Sequence, residues 1–119
     1  MSQIDDISRL HHILDAAQEA VKFANQKNRT DLYKDRVLNL ALIKLLEIVG
    51  EAASVISEDL RSHYPDIAWR QMTAMRNRLI HGYFDIDYEL VWDTIKEELP
   101  PLIHKIKHVL EIEESKWRS

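Results

Sequence analysis

An apolar period runs through residues 37–56, VLNLALIKLLEIVGEAASVI. Apolar residues recur there every three or four positions, the spacing of one face of an α-helix, and Lys44 is the one polar interruption. Thr30 is a suitable N-cap for this helix, and Tyr64-Pro65 ends it because proline disfavours helical geometry at the preceding residue. An interior glycine costs about 1 kcal/mol against alanine. We therefore expect Gly50 to mark close packing against another helix.

Three further helices are predicted around this one. A first helix carries apolar residues from Ile7 to Ala24, and a third extends from about residue 67 to residue 81. Asp87 is predicted to be the N-cap of a fourth helix. This last helix contains Pro100-Pro101, which should kink it or split it in two. The polar residues 111–119 are predicted to fray.

The composition agrees with a small helical protein. The chain has 119 residues, 45% of them hydrophobic and 30% charged, with two glycines, three prolines and no cysteine. Few turn residues argue against an all-β fold, and the lack of cysteine excludes disulfides and thiolate zinc sites. No apolar run reaches the roughly 20 residues of a membrane span, and the polar, acidic first residues differ from a secretory signal. We predict a single all-α domain over residues 1–119, an antiparallel bundle of four main helices, in the cytoplasm and without membrane contact.

Positive charge is concentrated in one segment of an otherwise acidic protein. The formal net charge is -4, but residues 67–84 contain three arginines and no acidic residue: Arg70, Arg76 and Arg78. A basic island of this kind can attract a phosphate-bearing partner. The alternative is that the arginines only solvate one helix.

The centre of this basic segment, residues 75–83, reads MRNRLIHGY. It supplies Arg76 to hold a phosphate, Asn77 as a neutral donor, His81 to move protons and Tyr83 as a hydroxyl. This chemistry needs no metal. On an ideal helix His81 would lie about 140° from Arg76, so the two would not converge. Either the helix unwinds at the following glycine, or two copies of the segment face each other across a two-fold axis.

Each of these residues also has a structural interpretation. His81 could cap the end of its helix, and Tyr83 could be a half-buried aromatic residue. Arg76 could pair with an acid of the fourth helix, such as Asp93 or Glu97.

Other candidate sites in the sequence are weaker. His104 and His108 have a spacing that can bind metal, but no third ligand stands out, which favours solvent-facing histidines. The adjacent His11-His12 diverge on a helix and suit chelation poorly. Asp85 and Asp87 could ligate Mg²⁺, but a loop acid followed by an N-cap explains both residues. No metal site is predicted.

Residues 76–83, RNRLIHGY, fit the Arg-x4-His-x-Tyr pattern of HEPN-domain proteins. The sequence resembles the HepT-like branch, the toxins of toxin–antitoxin systems. The resemblance covers roughly residues 40–105 and includes residues 48–52 (IVGEA), 64–70 (YPDIAWR) and 83–87 (YFDID).

The resemblance implies a helical homodimer with two Arg-x4-His motifs in a shared cleft. It also implies metal-independent endoribonuclease activity without a cofactor. Arg76 would stabilise charge on the phosphoryl oxygens, and His81 would move protons during attack of a ribose 2′-hydroxyl. Asn77 would orient the histidine or the phosphate, and Arg78 would bind substrate.

The resemblance also implies a partner, an MntA-like nucleotidyltransferase antitoxin that silences the toxin by transferring AMP to Tyr83. The alternative function is a non-catalytic HEPN subunit that binds a nucleotide or scaffolds a nucleotidyltransferase complex. The acidic net charge favours the scaffold, since most RNA-binding surfaces are basic. The intact pair of Arg76 and His81 favours the enzyme. A plain helical dimerisation protein is a third possibility.

Overall fold

A computed structural model describes residues 3–79 and 86–118 of the chain, and within these ranges all regular structure is helical. The four longest helices are the four main helices predicted, and the all-α bundle is confirmed. The described helices are α1 (Gln3–Ala24), α2 (Arg29–Lys34), α3 (Arg36–Ser54), α4 (Glu58–His63), α5 (Trp69–Leu79), α6 (Tyr88–Asp93) and α7 (Leu99–Arg118), with a π-helical turn (Thr94–Glu98) between the last two.

Helix α1 packs against α3 and α7, and α3 also packs against α5. Near the start of α1, Asp6 accepts hydrogen bonds from the backbone and hydroxyl of Ser57, just beyond the end of α3, at 2.9 and 2.5 Å. At the other end of α1, Lys96 donates to the carbonyl of Ala24 at 3.1 Å, close to the start of α7. Helix α1 therefore runs antiparallel to both. Fully buried residues from these helices form the core: Leu10, Ile13, Leu42, Leu46, Leu79, Leu99 and Ile106.

The single long helix predicted from Thr30 to Tyr64 is divided into three, α2, α3 and α4. Asp35 separates the first two, and its carboxylate accepts a hydrogen bond from the backbone of Leu38 at 3.1 Å. Ser57 caps α4 in the same way. Short polar side chains of this kind stabilise a new helix start by taking up free backbone N–H groups.

The start of α2 also differs from the prediction. Its N-cap is Asn28, two residues before Thr30, and Asn28 and Asp31 form a reciprocal capping box. A capping box forms two hydrogen bonds to backbone N–H groups, whereas Thr30 as the N-cap would form only one, and this favours the start at Asn28. The N-cap predicted at Asp87 is confirmed, since its carboxylate accepts from the backbone of Leu90 at 3.0 Å.

The disturbance expected at Pro100-Pro101 takes the form of the π-helical turn just before them. The backbone N–H of Leu99 reaches back five residues to the carbonyl of Thr94. Proline has no N–H to donate, so the regular hydrogen-bond pattern cannot continue through Pro100-Pro101. Thr94 and Leu99 both keep right-handed helical backbone angles, and helical geometry thus resumes in α7.

The polar tail predicted to fray from residue 111 is instead part of α7, which continues to Arg118. The buried carboxylate of Glu113 explains the difference, since it accepts hydrogen bonds from the Tyr64 hydroxyl at 2.5 Å and from Lys116 at 2.9 Å. Burial, and then the hydrogen bond to Glu113, raise the pKa of Tyr64 to about 12. Burial opposes ionisation of Glu113, but the hydrogen bonds from Tyr64 and Lys116 outweigh it and lower the pKa of this carboxyl.

The start of α3 carries apolar side chains that face outward. Val37 is 79% exposed and Leu40 is 49% exposed, and on α2 Tyr33 is 52% exposed. We call these three residues the apolar patch. Within the described ranges, no helix combines the length and hydrophobicity needed to cross a bilayer.

Candidate active site

The end of α5 carries the predicted site residues that the structure describes, namely Arg76, Asn77 and Arg78. Met72 and Met75 are buried on one side of this helix. Successive residues differ by about 100° around a helix. Arg76 therefore lies at the edge of the buried face, with its side chain about one third exposed.

Gly50 fixes how closely α5 approaches α3 at this point. A Cβ atom on Gly50 would lie 2.9 Å from the Cβ atom of Arg76 and 3.0 Å from the backbone oxygen of Met72. Both distances are shorter than ordinary van der Waals contact, so a residue with a side chain would push the helices apart. The close packing expected at Gly50 is confirmed, and it occurs at Arg76.

The guanidinium of Arg76 forms an ion pair with the carboxylate of Glu51 on α3. Glu51 is 65% exposed, so the pair lies at the protein surface. The sequence suggested Asp93 or Glu97 as the partner of Arg76, and this is wrong. Asp93 instead accepts a hydrogen bond from Arg29 at 3.2 Å. Arg76 is held by α3 because the glycine beside Glu51 brings the two helices together.

Arg76 and Asn77 share one open surface depression with a volume of 610 Å³. The rest of its lining comes from α3: Lys44, Glu47, Ile48 and Glu51. Lys44 lies 3.8 Å from Glu47. The depression thus combines cationic, amide and carboxylate groups around an accessible space.

Arg78 lies elsewhere. It borders a separate cavity of 360 Å³ between α5, the π-helical turn and α7, with a largely apolar lining that includes Met72, Met75 and Leu99. Arg76 and Arg78 are two residues apart on a helix and point about 160° from each other. The structure brings Arg76 together with Asn77 and does not bring Arg78 to them.

His81 and Tyr83 lie outside the described residues, as does Asp85. Among the described residues, no three His, Cys, Asp or Glu side chains are grouped to hold a metal ion. His104 and His108 are exposed on α7, as the sequence favoured. The side chain of His11 approaches Glu114 at 3.4 Å, whereas the adjacent His12 is exposed.

Two residues of the depression, Lys44 and Glu51, are not among the site residues predicted from the sequence. In the sequence, Lys44 is a polar interruption of an apolar period, and Glu51 is part of the segment IVGEA. They are seven positions apart, which places them on one face of α3. This shared polar face was the available signal.

The chain matches the family model "Ribonuclease HepT-like" over residues 13–109. It is 38% identical over 112 residues to "Putative RNase MJ1380" of Methanocaldococcus jannaschii, which covers 94% of this chain and 99% of the relative. It is also 37% identical over 98 residues to "Probable ribonuclease HepT" of Thermococcus cleftensis, covering 82% of this chain and 89% of the relative. No solved structure matches.

These matches confirm the resemblance to HepT-like HEPN proteins and, with it, the predicted class of enzyme, a ribonuclease. The family match includes all of α3 and α5, the helices that form the depression around Arg76. The chain therefore belongs to the ribonuclease HepT-like family.

Proposed function

We propose that this protein is the toxin of a toxin–antitoxin system, a metal-independent endoribonuclease that cleaves RNA with Arg76 and His81. Asn77 orients the reacting groups, and the active form is a homodimer in which the two motifs share a cleft. A nucleotidyltransferase antitoxin silences the enzyme by transferring AMP from ATP to the Tyr83 hydroxyl: the tyrosine oxygen bonds to the α-phosphorus and pyrophosphate leaves.

One observation carries the catalytic part of the proposal: Arg76 lies in an open depression with its guanidinium paired to an exposed carboxylate. The position next to this guanidinium thus accommodates a negatively charged group with two oxygens. A phosphodiester presents the same pattern of acceptors, and guanidinium binds both groups with paired hydrogen bonds. Substrate phosphate can replace the Glu51 carboxylate at a surface where an ion pair is weak.

The residue types support a transesterification. His81 accepts the proton of a ribose 2′-hydroxyl as its oxygen attacks the adjacent phosphorus. The bond from phosphorus to the 5′-oxygen of the next nucleotide breaks, and His81 returns the proton to that oxygen. Arg76 stabilises the charge that develops on the phosphoryl oxygens. The products are a 2′,3′-cyclic phosphate and a free 5′-hydroxyl.

The apolar patch supports the dimer. Exposed aliphatic side chains on a small acidic protein favour association, and Val37 and Leu40 lie on the same helix as Glu51. A patch of this kind repeated across a two-fold axis is self-complementary. In the proposed dimer the two depressions face a common cleft, which would bring Arg76 of one protomer and His81 of its partner together despite their mismatch in angle on one helix.

The regulatory part of the proposal rests on the position of Tyr83, two residues after His81 in the sequence. An AMP group there adds a phosphodiester charge that competes with substrate phosphate for Arg76. The test is to co-express the protein with its partner nucleotidyltransferase and measure intact mass. The wild type should gain AMP and lose activity, whereas Tyr83→Phe should gain none at this site and stay active. Equal silencing of Tyr83→Phe would contradict AMP transfer to this residue as the switch.

The catalytic proposal is tested by incubating labelled RNA with purified protein in EDTA. The wild type should cut the RNA, and Arg76→Ala and His81→Ala should each lose at least about 100-fold in rate. Arg70→Ala is the matched control, because Arg70 is an exposed arginine on the same helix outside the depression. All variants are first checked for folding by circular dichroism. A folded wild type without RNase activity would favour the scaffold function instead.

A further inference from the structure

The depression around Arg76 continues across α3 toward α1. Ile48 and Glu51 border it on one side and also line a second depression of 270 Å³. Arg9 and His12 of α1 lie in the lining of this second depression. Because the two depressions share two lining residues, they adjoin each other over α3, from Arg76 to Arg9, and we call them together the α3 path.

Arg9 is the unpaired cation of the α3 path. Arg76 is paired with Glu51, and Lys44 lies near Glu47. By contrast, Arg9 forms no ion pair among the residues that the structure describes, and its buried Nε atom, like that of Arg61, has no hydrogen-bond partner there. A buried donor without a partner is costly unless a ligand or water satisfies it. A guanidinium is suited to a phosphate oxygen pair.

We propose that a single strand of RNA follows the α3 path, with a phosphate other than the scissile one bound by Arg9 and His12. This inference rests on the proposed ribonuclease function. Arg9 and His12 are three residues apart, so both side chains project from the same face of α1. Ile48, between the two ends, offers an aliphatic surface to a ribose or base. Single-stranded nucleic acid is bound by such open paths, in which cations track the phosphates.

The charge of the whole protein supports this route. The net charge is -4, so the protein as a whole repels RNA. The α3 path instead contains three permanent cations against two carboxylates, and both carboxylates already face a cation within it. A strand that leaves Arg76 therefore meets less repulsion toward Arg9 than across the acidic surface.

The α3 path predicts that binding depends on the length of the RNA. A dinucleotide reaches only the scissile phosphate at Arg76, whereas an RNA of about ten nucleotides also reaches Arg9. The loss of the Arg9 contact should therefore matter only for the longer RNA. It should raise KM and leave kcat unchanged, because Arg9 does not touch the reacting atoms.

The test uses Arg9→Gln and Arg9→Gln/His12→Gln in the full chain. The binding probe is a 2′-O-methyl RNA of about ten nucleotides, which cannot be cleaved by 2′-hydroxyl attack, measured by fluorescence anisotropy. Arg9→Gln should weaken binding about five- to tenfold. It should also reduce the slope of log K against log salt by about 0.7, the value for one phosphate contact. Lys22→Gln, an exposed lysine on the same helix, is the matched control and should bind like the wild type.

Arg9→Lys covers the case in which Arg9→Gln fails to fold. It keeps the charge, so it should keep the salt slope while it loses the paired geometry and part of the affinity. Wild-type binding by the folded variants, or an equal loss of activity on dinucleotide and long RNA, would overturn the α3 path. If Arg76→Ala still abolishes cleavage in that case, the ribonuclease proposal stands alone. A wild type that neither binds nor cleaves RNA would overturn both.

Discussion

Gly50 and Arg76 lie so close together that a Cβ atom on Gly50 would be 2.9 Å from the Cβ atom of Arg76. Helices α3 and α5 thus meet at the backbone of the proposed catalytic arginine. The next residue of α3, Glu51, forms the ion pair with the Arg76 guanidinium. One turn of α3 therefore sets both the position of α5 and the orientation of the Arg76 side chain.

Gly50→Ala is expected to reduce activity by moving α5. Overpacking costs about 1–3 kcal/mol, and the better helix propensity of alanine returns about 1 kcal/mol. We expect the free energy of unfolding to fall by about 1 kcal/mol and kcat/KM on RNA to fall about tenfold or more, because displaced catalytic groups lose rate steeply.

Ala74→Gly is the control that distinguishes a loss of stability from a displacement of α5 in the Gly50→Ala protein. Ala74 is exposed on α5, so glycine there lowers helix propensity by about 1 kcal/mol without changing the contact between the helices. It should lower stability in urea denaturation and leave kcat/KM unchanged. Full activity in a folded Gly50→Ala protein would contradict the positioning role of this contact.

Glu51→Gln is expected to tighten RNA binding. Glutamine keeps an oxygen that can accept from Arg76 but removes the negative charge that competes with phosphate. Exposed ion pairs of this kind contribute about 0.2–1 kcal/mol, so the Kd for a 2′-O-methyl RNA should fall up to about fivefold. Glu58→Gln, an exposed acid on α4, is the control for the change in net charge. Weaker binding by Glu51→Gln would mean that the carboxylate assists phosphate binding.

The hydrogen bond from Tyr64 to Glu113 should make the stability of the protein depend on pH. The folded pKa of Glu113 is lowered, so this carboxyl contributes stability above its unfolded pKa and loses it as the pH falls through the folded value. The folded pKa of Tyr64 is raised to about 12, so its contribution is complete below about pH 10 and is lost between about pH 10 and 12.

Tyr64→Phe removes this link and should lower the free energy of unfolding by about 1–2 kcal/mol near pH 7. Both the acid and the alkaline losses of stability should become shallower, as measured by urea denaturation across pH. Tyr33→Phe, which removes an exposed hydroxyl from Glu89, should leave the acid branch unchanged. It should flatten only the alkaline branch, because the hydrogen bond to Glu89 raises the pKa of Tyr33. Identical pH profiles for Tyr64→Phe and wild type would contradict the assignment.

Charges placed in the apolar patch should separate the proposed dimer. We expect Val37→Glu and Leu40→Glu to shift the mass measured by light scattering from twice 14.0 kDa to 14.0 kDa, with loss of RNase activity. Gln18→Glu adds the same charge at an exposed position of α1 and should remain dimeric. A dimer that survives both patch substitutions uses another surface, and a monomeric wild type would refute the dimer itself.

The helical fold was predictable because apolar residues recur at helical spacing along most of the chain. The division of the long predicted helix was not, because it depends on the side chains of Asp35 and Ser57 bonding to backbone donors three residues ahead. An aspartate or serine inside an apolar period is equally compatible with a continuous helix. The order of the tail depends on Glu113 meeting Tyr64, 49 residues away in the sequence.

The candidate site was predictable in its residue types and only partly in its geometry. Asn77 and Arg76 are neighbours in the sequence and share the depression. The Glu51 partner of Arg76 is 25 residues away, and periodicity does not indicate which acid a helix will meet. Gly50 was the best local clue, because a glycine inside a helix marks the place where another backbone comes close.

The chemistry of the cleaved ends tests the central claim most directly. Purified wild-type protein is incubated with RNA in EDTA, and the termini of the fragments are identified by mass spectrometry. Attack by the 2′-hydroxyl with His81 and Arg76 predicts undiminished cleavage, with 2′,3′-cyclic phosphate on one fragment and a 5′-hydroxyl on the other. Loss of cleavage in EDTA, or fragments that carry 3′-hydroxyl and 5′-phosphate ends, would contradict it.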